Sequence, residues 1–204
     1  MAYVVAVAGI AGAGKSTLVR ELVAALGDAV AVHIDDYQRV TRRPVREIVQ
    51  WMRRGGSFDE FSIPLLEEHL ERLKRGERVL DPVTLRQILP RRYVIFETHF
   101  GRAHQATGRH IDLLVWIDTP LDVALARNLR DLVRPLLQDP GVDLTRDRVA
   151  RLSDYVENYL ADVRALVLMQ QQEVAGAADV TVDGSGESAG IVEQVRRAIL
   201  DRLS

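Results

Sequence analysis

Gly9-Ile10-Ala11-Gly12-Ala13-Gly14-Lys15-Ser16 is the stretch on which the fold turns. An apolar run, Val4-Val5-Ala6-Val7-Ala8, leads into it, and Thr17-Leu18-Val19-Arg20-Glu21-Leu22 follows with helical spacing. A glycine-rich loop ending in Gly-Lys-Ser between a strand and a helix is the context of a phosphate-binding P-loop. The glycines let the backbone turn tightly, so that successive N–H groups point into one concavity and hold an anion. The start of the helix adds unpaired N–H groups and the positive end of its dipole. Gly9, Ala11, Gly12, Ala13, Gly14, Lys15, Ser16 and Thr17 are therefore the expected phosphate-binding residues, with Lys15 on the β- and γ-phosphates and the Ser16 hydroxyl on Mg²⁺. The competing reading is an ordinary Gly/Ala-rich turn carrying a chance lysine. With two lysines against twenty-five arginines in the chain, a background lysine here is improbable.

The bulk composition narrows the class. The 204 residues are enough for one α/β domain with a sizeable core and a small lid. A hydrophobic content of 47% beside 27% charged residues is ordinary for a soluble globular protein. The formal charge of −2 gives no reason to expect nucleic acid or an anionic membrane as partner. Cysteine is absent, which excludes disulfides, thiolate catalysis and cysteine-based metal sites and suits a reducing cytoplasm. The apolar N-terminus lacks a basic flank and runs straight into the loop, so removal as a signal peptide would destroy the motif. No window approaches the roughly 18 apolar residues of a membrane span.

Outward from the loop, residues 3–8 read as a strand apolar on both faces, as in the centre of a parallel sheet. The helix from Lys15 buries Leu18, Leu22, Val23 and Leu26, and Gly27 is expected to stop it in the left-handed conformation. A second apolar strand, Val30–Ile34, ends in Asp35-Asp36-Tyr37. Ligands of open parallel sheets bind beyond the carboxyl ends of the strands. One of these carboxylates could hold Mg²⁺ through water or accept a proton from an attacking hydroxyl. A turn in which Asp bonds its own backbone is the alternative. Residues 38–56 are basic, with Arg39, Arg42, Arg43, Arg46, Arg53 and Arg54, and Pro44 can open a helix closed by Gly55-Gly56. Without interleaved aromatics these arginines read as a solvated face. Ser57-Phe58-Asp59-Glu60-Phe61 is a polar–aromatic loop, and the next helix has Leu65, Leu66, His69, Leu70 and Leu73 on one face, His69 being structural.

Val79–Val83 is a short extended piece before a third core strand, Tyr93–Phe96, that ends in Glu97. A carboxylate so placed contacts the hydration shell of Mg²⁺ or orients the nucleophile. His99, His104 and His110 match no metal-ligand spacing and read as polar loop residues. The fourth strand, Leu113–Ile117, precedes Thr119 as expected N-cap and Pro120 at the first helical position. Arg127, Arg130 and Arg134 then share a helix face, Asp131 can pair with Arg127 or Arg134, and Pro135 is expected to end the helix. Aligned arginines suit a lid that grips transferring phosphates, against the alternative of a charged surface stripe. After an Asp139-Pro140-Gly141 turn, a long amphipathic helix from Val149 to Leu166 either packs back or offers a homodimer face. Ala178–Val182 is the fifth strand, and residues 190–203 form a closing helix. The expected architecture is α/β: a P-loop NTPase fold with a five-stranded parallel sheet flanked by helices and a helical lid. It occupies 1–204 as a single P-loop domain, with the lid at approximately 127–148.

Several segments together resemble the uridine kinase/phosphoribulokinase family of P-loop kinases. They are Gly9–Thr17, Asp35-Asp36-Tyr37, Phe58-Asp59, Leu65–Leu70 with Leu73, Lys74 and Gly76, Pro82-Val83, Val94–Glu97, Ile117–Thr119, Arg127–Asp131 and Ala178–Val182. The resemblance implies ATP- and Mg²⁺-dependent phosphorylation of a hydroxyl on a small molecule, first of all a nucleoside. It implies Asp35 as the base, with Asp36 as second candidate, and Lys15, Arg127 and Arg130 as catalytic partners. Ser16, Glu97 and Asp35 are the residues expected around the metal. Asp36, Tyr37, Phe58, Asp59 and Arg134 are expected toward the acceptor. Where nucleoside kinases of this family carry Tyr and His for the pyrimidine, residues 83–92 here contain neither, and Glu60-Phe61 stands in place of His-Pro. A kinase for another sugar, vitamin precursor or organic alcohol, and a regulatory NTP-binding module, therefore stay open. No Asn-Lys-x-Asp guanine motif is present.

Overall fold

A computed structural model of the chain describes residues 1–37, 45–138 and 146–203. The elements run β1 (Tyr3–Gly9), α1 (Lys15–Leu26), β2 (Ala29–His33), α2 (Ile34–Tyr37), α3 (Val45–Arg53) and α4 (Pro64–Lys74). A hairpin of β3 (Val79–Leu80) and β4 (Gln87–Ile88) precedes β5 (Tyr93–Thr98), α5 (Gln105–Gly108), β6 (Leu113–Asp118) and α6 (Leu121–Gln138). The chain closes with α7 (Arg146–Asn158), α8 (Arg164–Ala175), β7 (Val180–Asp183) and α9 (Ser188–Asp201). Arg39, Arg42, Arg43, Pro44 and the Asp139-Pro140-Gly141 turn lie outside the described residues.

The main sheet has five parallel strands in the order β2-β5-β1-β6-β7. A central parallel strand is covered on both faces, which is why Val4–Ala8, Val94–Phe96 and Leu113–Val115 are apolar at successive positions and fully buried. The register matters more than the strands themselves. Glu97 on β5 lies opposite Val7 of β1 on one side and His33 of β2 on the other. The polar ends of β2 and β5 therefore finish level with the start of the P-loop.

The local signals met several corrections. Gly27 ends α1 with a positive φ of 72° but a ψ of −57°, outside the left-handed helical region, and its N–H reaches the Val23 carbonyl. The extended piece at 79–83 is one arm of the antiparallel β3–β4 hairpin, whose two-residue strands are too short to leave an alternating pattern. The Asp81 carboxylate organises its turn by accepting the Val83 and Thr84 N–H groups. Thr119 is buried and donates its hydroxyl to the Ala13 carbonyl (3.4 Å), so α6 begins at Leu121 with the Pro120 carbonyl accepting Ala124 N–H. Pro135 sits inside α6, which continues to Gln138. Asp131, whose carbonyl the proline leaves without a helical donor, is exposed, so water can serve it. The long helix expected around 149–166 is α7 and α8 joined by a π-helical turn at Tyr159–Val163. Among the described residues no helix is long and apolar enough to cross a membrane.

Candidate active site

The P-loop folds as its glycines allow. Gly12 and Gly14 take φ of 81° and 97°, a region costly for any residue with a Cβ. Gly14 is the N-cap of α1 and no side chain caps it, leaving the first N–H groups of the helix to face the loop. Gly12 also has no room: a Cβ there would lie 2.4 Å from the Ala124 carbonyl oxygen of α6. Loop and α6 are thus in backbone contact, the loop following β1 and α6 following its sheet neighbour β6.

Above the loop is a cavity of about 460 Å³, lined by Gly12–Leu18, Glu97, Arg127, Asn128, Arg130 and the turn after β7. Lys15 is buried at its base, its Nζ donating to the carbonyls of Gly9 (3.0 Å) and Ile10 (3.1 Å). Burial pushes the ammonium below its ordinary pKa, while the charges of Glu97 and Asp35 act to raise it. Arg127 spans the cavity rim, donating to the carbonyls of Gly184 (2.9 Å) and Ala13 (3.4 Å). Arg130 lines the same cavity and Arg134, one turn on, is exposed and does not. Asp131 pairs with its neighbour Arg130 at 2.9 Å rather than with Arg127 or Arg134.

Glu97 joins three elements. Its Oε1 accepts the Ser16 hydroxyl at 2.9 Å and its Oε2 meets His33 Nδ1 at 2.6 Å. Burial acts to raise the carboxyl, but His33, Ser16 and the charge of Lys15 outweigh it and hold Glu97 below its ordinary pKa. The hydrogen bond to Glu97 in turn lifts His33 above the ordinary histidine value against its own burial. A carboxylate accepts only, so His33 donates.

Beyond β2, the short α2 carries the acids. Asp35 Oδ1 meets His99 Nε2 at 2.8 Å, and that hydrogen bond is the main reason its carboxyl is held low. Asp36 is shifted the other way: burial raises it, with Asp81, Asp35 and Glu97 adding repulsion that His33 only partly offsets. Tyr37 OH lies 2.9 Å from His69 Nδ1, the two rings edge to face at 5.4 Å. Burial drives Tyr37 far up and His69 down, so the two meet as neutral groups. His69 is structural, as expected, and what it holds is Tyr37.

Phe58 is buried in an aromatic cluster, 5.0 Å from Phe100 and beside Phe61 and Trp51. Asp59 follows it in a short 3₁₀ turn capped by Ser57, and its Oδ1 accepts the Gln105 N–H at 2.6 Å. His104 and His110, expected as polar loop residues, are buried. His104 bonds Thr107 and the Phe61 carbonyl beneath the aromatic cluster. The residues that sequence reasoning missed are His33, His99, Asn128 and the Gly184 turn. A histidine inside an otherwise apolar strand was the available signal for His33; for Gly184 there was none, because its place beside Thr119 arises from strand order.

No protein-family model matches the chain. A protein named uridine kinase from Tolumonas auensis is 26% identical over 218 residues, spanning 96% of this chain and 93% of its own length. Another named uridine kinase, from Aeromonas salmonicida, is 26% identical over 220 residues, covering 98% and 95%. The chain is similar to these proteins named uridine kinase over nearly its whole length, which supports a small-molecule phosphotransferase. In fold, the chain is similar to a solved protein from Silicibacter sp. TM1040 proposed to be a fructose transport system kinase. That likeness has a TM-score of 0.57, 20% identity, and coverage of 89% of each chain. The chain keeps its glycine-rich loop and the strand-end acids together at the carboxyl ends of the parallel strands.

Proposed function

We propose that the kinase transfers the γ-phosphoryl group of ATP to a hydroxyl of a small molecule, a nucleoside first, with Asp35 as the base. The observation that carries this reading is the coupling of the two halves of the site. The Lys15 charge acts on both Glu97 and Asp35, so the phosphate end and the acid end share one electrostatic environment. The P-loop N–H groups and Lys15 bind the donor phosphates, and Arg127 and Arg130 stabilise charge on the transferring group. Asp35, ionised and exposed, accepts the proton of the acceptor hydroxyl. Asp36, next to it on α2, is the second base candidate at that edge. Tyr37, Phe58, Asp59 and Arg134 are assigned to the acceptor side, Phe58 and Tyr37 as walls that hold α2 and the aromatic cluster in place.

Ser16 and Glu97 present hard oxygen donors 2.9 Å apart, a set that suits Mg²⁺. Among the described residues no group of three or more acids and histidines could hold a metal by itself, which agrees with an ion that keeps waters and substrate oxygens as ligands. Bound there, Mg²⁺ supplies positive charge to the donor phosphates. We assign residues 1–204 to a single kinase domain with its lid at about 127–148, of which 139–145 lie outside the described residues.

A second reading of the acceptor rests on the β3–β4 hairpin, where Val83, Leu85 and Leu89 are exposed and residues 83–92 lack Tyr and His. A site without those hydrogen-bonding groups favours another sugar-like alcohol. The test is MgATP with uridine, cytidine, hexoses and vitamin-precursor alcohols, following ADP release. Acceptor-stimulated release is expected, and Asp35→Asn should keep ADP affinity while losing about 10²-fold or more of the transfer rate. Unchanged transfer in Asp35→Asn removes Asp35 as the base.

A further inference from the structure

We propose that His99 is the positioning residue of the transfer step: its Nε2–H fixes one oxygen of the Asp35 carboxylate and leaves the other for the acceptor hydroxyl. The inference rests on the assignment of Asp35 as base and adds what holds that base in place.

Asp35 needs such a partner. It sits on a four-residue helix, and its side chain is 72% exposed, so neither a long helix nor packing selects its rotamer. The bond to His99 is the constraint, at 2.8 Å and across 64 positions of sequence, from the end of β2 to the end of β5. Among the described residues Oδ2 of Asp35 has no hydrogen-bond partner.

His99 is itself tied from several directions. Gln170 on α8 donates its side-chain N–H to the His99 carbonyl at 2.7 Å. Immediately before it, Thr98 is fully buried and its hydroxyl oxygen accepts the N–H groups of Phe100 (3.1 Å) and Gly101 (3.3 Å), which fixes the turn out of the strand. Immediately after it, Phe100 is buried against Phe58 and lies stacked 5.3 Å from Phe61, while the His99 ring stands edge-on to Phe100 at 6.2 Å. The imidazole is thus carried by a rigid strand end and the carboxylate by a short exposed helix. Because an ionised carboxylate can only accept, Nε2 carries the hydrogen. Restricting Asp35 to one rotamer places a base before substrate arrives, which is the contribution of orientation to rate.

The experiment compares wild type, His99→Gln, His99→Phe, Asp35→Asn and the double variant Asp35→Asn/His99→Phe in acceptor-stimulated ADP release. Phe keeps the ring volume and the contact with Phe100 but removes the donor; Gln keeps a donor. The expected result is that His99→Phe lowers kcat by roughly 10- to 100-fold with KM for MgATP and melting temperature close to wild type. His99→Gln should restore most of the rate. Because His99 acts through Asp35, adding His99→Phe to Asp35→Asn should cause no further loss. An additive loss in the double variant, a His99→Gln rate as low as that of His99→Phe, or an equal fall in ADP affinity overturns the proposal. If wild type shows no acceptor-stimulated release with any alcohol offered, the transfer reading falls and the positioning role falls with it. Release that persists with unaltered kcat in His99→Phe removes the positioning role alone.

Discussion

Replacing Gly12 by alanine separates backbone strain from collision at the heart of the P-loop. Gly12 has φ +81° and Gly27 has φ +72°, so alanine meets a positive-φ penalty at both, on the order of 1–2 kcal/mol. Their surroundings differ. Around Gly27 no atom lies within 4 Å of the place an alanine methyl would take, whereas at Gly12 that place is 2.4 Å from the Ala124 oxygen and 3.0 Å from Asn128 Nδ2. The Ala124 atom belongs to helix backbone and cannot swing aside. To open 2.4 Å to 3.0 Å, loop and α6 must part by roughly 0.6 Å, which we set within the ~1–3 kcal/mol cost of overpacking. Gly12→Ala is therefore expected to lose about 3 kcal/mol in total, against about 1–2 kcal/mol for Gly27→Ala. Since α6 carries Arg127 and Arg130 into the cavity, MgADP affinity should fall about tenfold or more in Gly12→Ala and stay near wild type in Gly27→Ala. Urea unfolding gives the first comparison and titration calorimetry the second. Equal stability of the two variants, with wild-type affinity in Gly12→Ala, refutes the backbone contact between the loop and α6.

Two further outcomes follow from buried charge. Lys15→Met removes an ammonium that burial already disfavours, so the melting temperature should hold within a few degrees while MgADP affinity falls roughly 10- to 100-fold, as for loss of a charge-assisted hydrogen bond; calorimetry and thermal melts read both. Asp179 accepts Leu114 N–H (2.7 Å), Arg102 (2.7 Å) and Arg202 (3.2 Å), tying β6, the turn after β5 and the end of α9. Burial acts to raise its carboxyl, but Arg102, the Leu114 N–H and Arg202 win and hold it below the ordinary value. A folded pKa below the unfolded one, about 3.9, gives stability that is full above pH 4 and lost as pH falls through the folded value. Asp179→Asn should therefore cost about 1–3 kcal/mol at pH 7 and 5, and the difference from wild type should shrink below pH 4. A deficit in urea melts that is constant from pH 7 to 3, or that widens toward acid, contradicts this account.

The sequence by itself determined the parts whose physics is local. Gly12, Gly14 and Lys15 announce a phosphate loop because each meets a short-range demand, of φ, of space or of charge, that few other residues satisfy. The three central strands were legible because a parallel strand covered on both faces must be apolar at every position. Asp35 and Glu97 were legible as strand-end acids, and Arg127 and Arg130 as one helix face. Tertiary structure decided what those residues touch. The level of β2 with β5 sets His33 on Glu97, and the fold of the chain after β5 sets His99 on Asp35; partners 64 positions apart in each case leave no periodic trace in the chain. The same holds for Thr119, drawn from a local cap to the Ala13 carbonyl 106 positions away, and for the β3–β4 hairpin, too short to show a period. Local rules act through neighbours along the backbone, whereas the register of a parallel sheet is set by packing across it. The glycine-rich loop is therefore written in consecutive residues, and the pairing of Asp35 with His99 exists only where two strand ends meet.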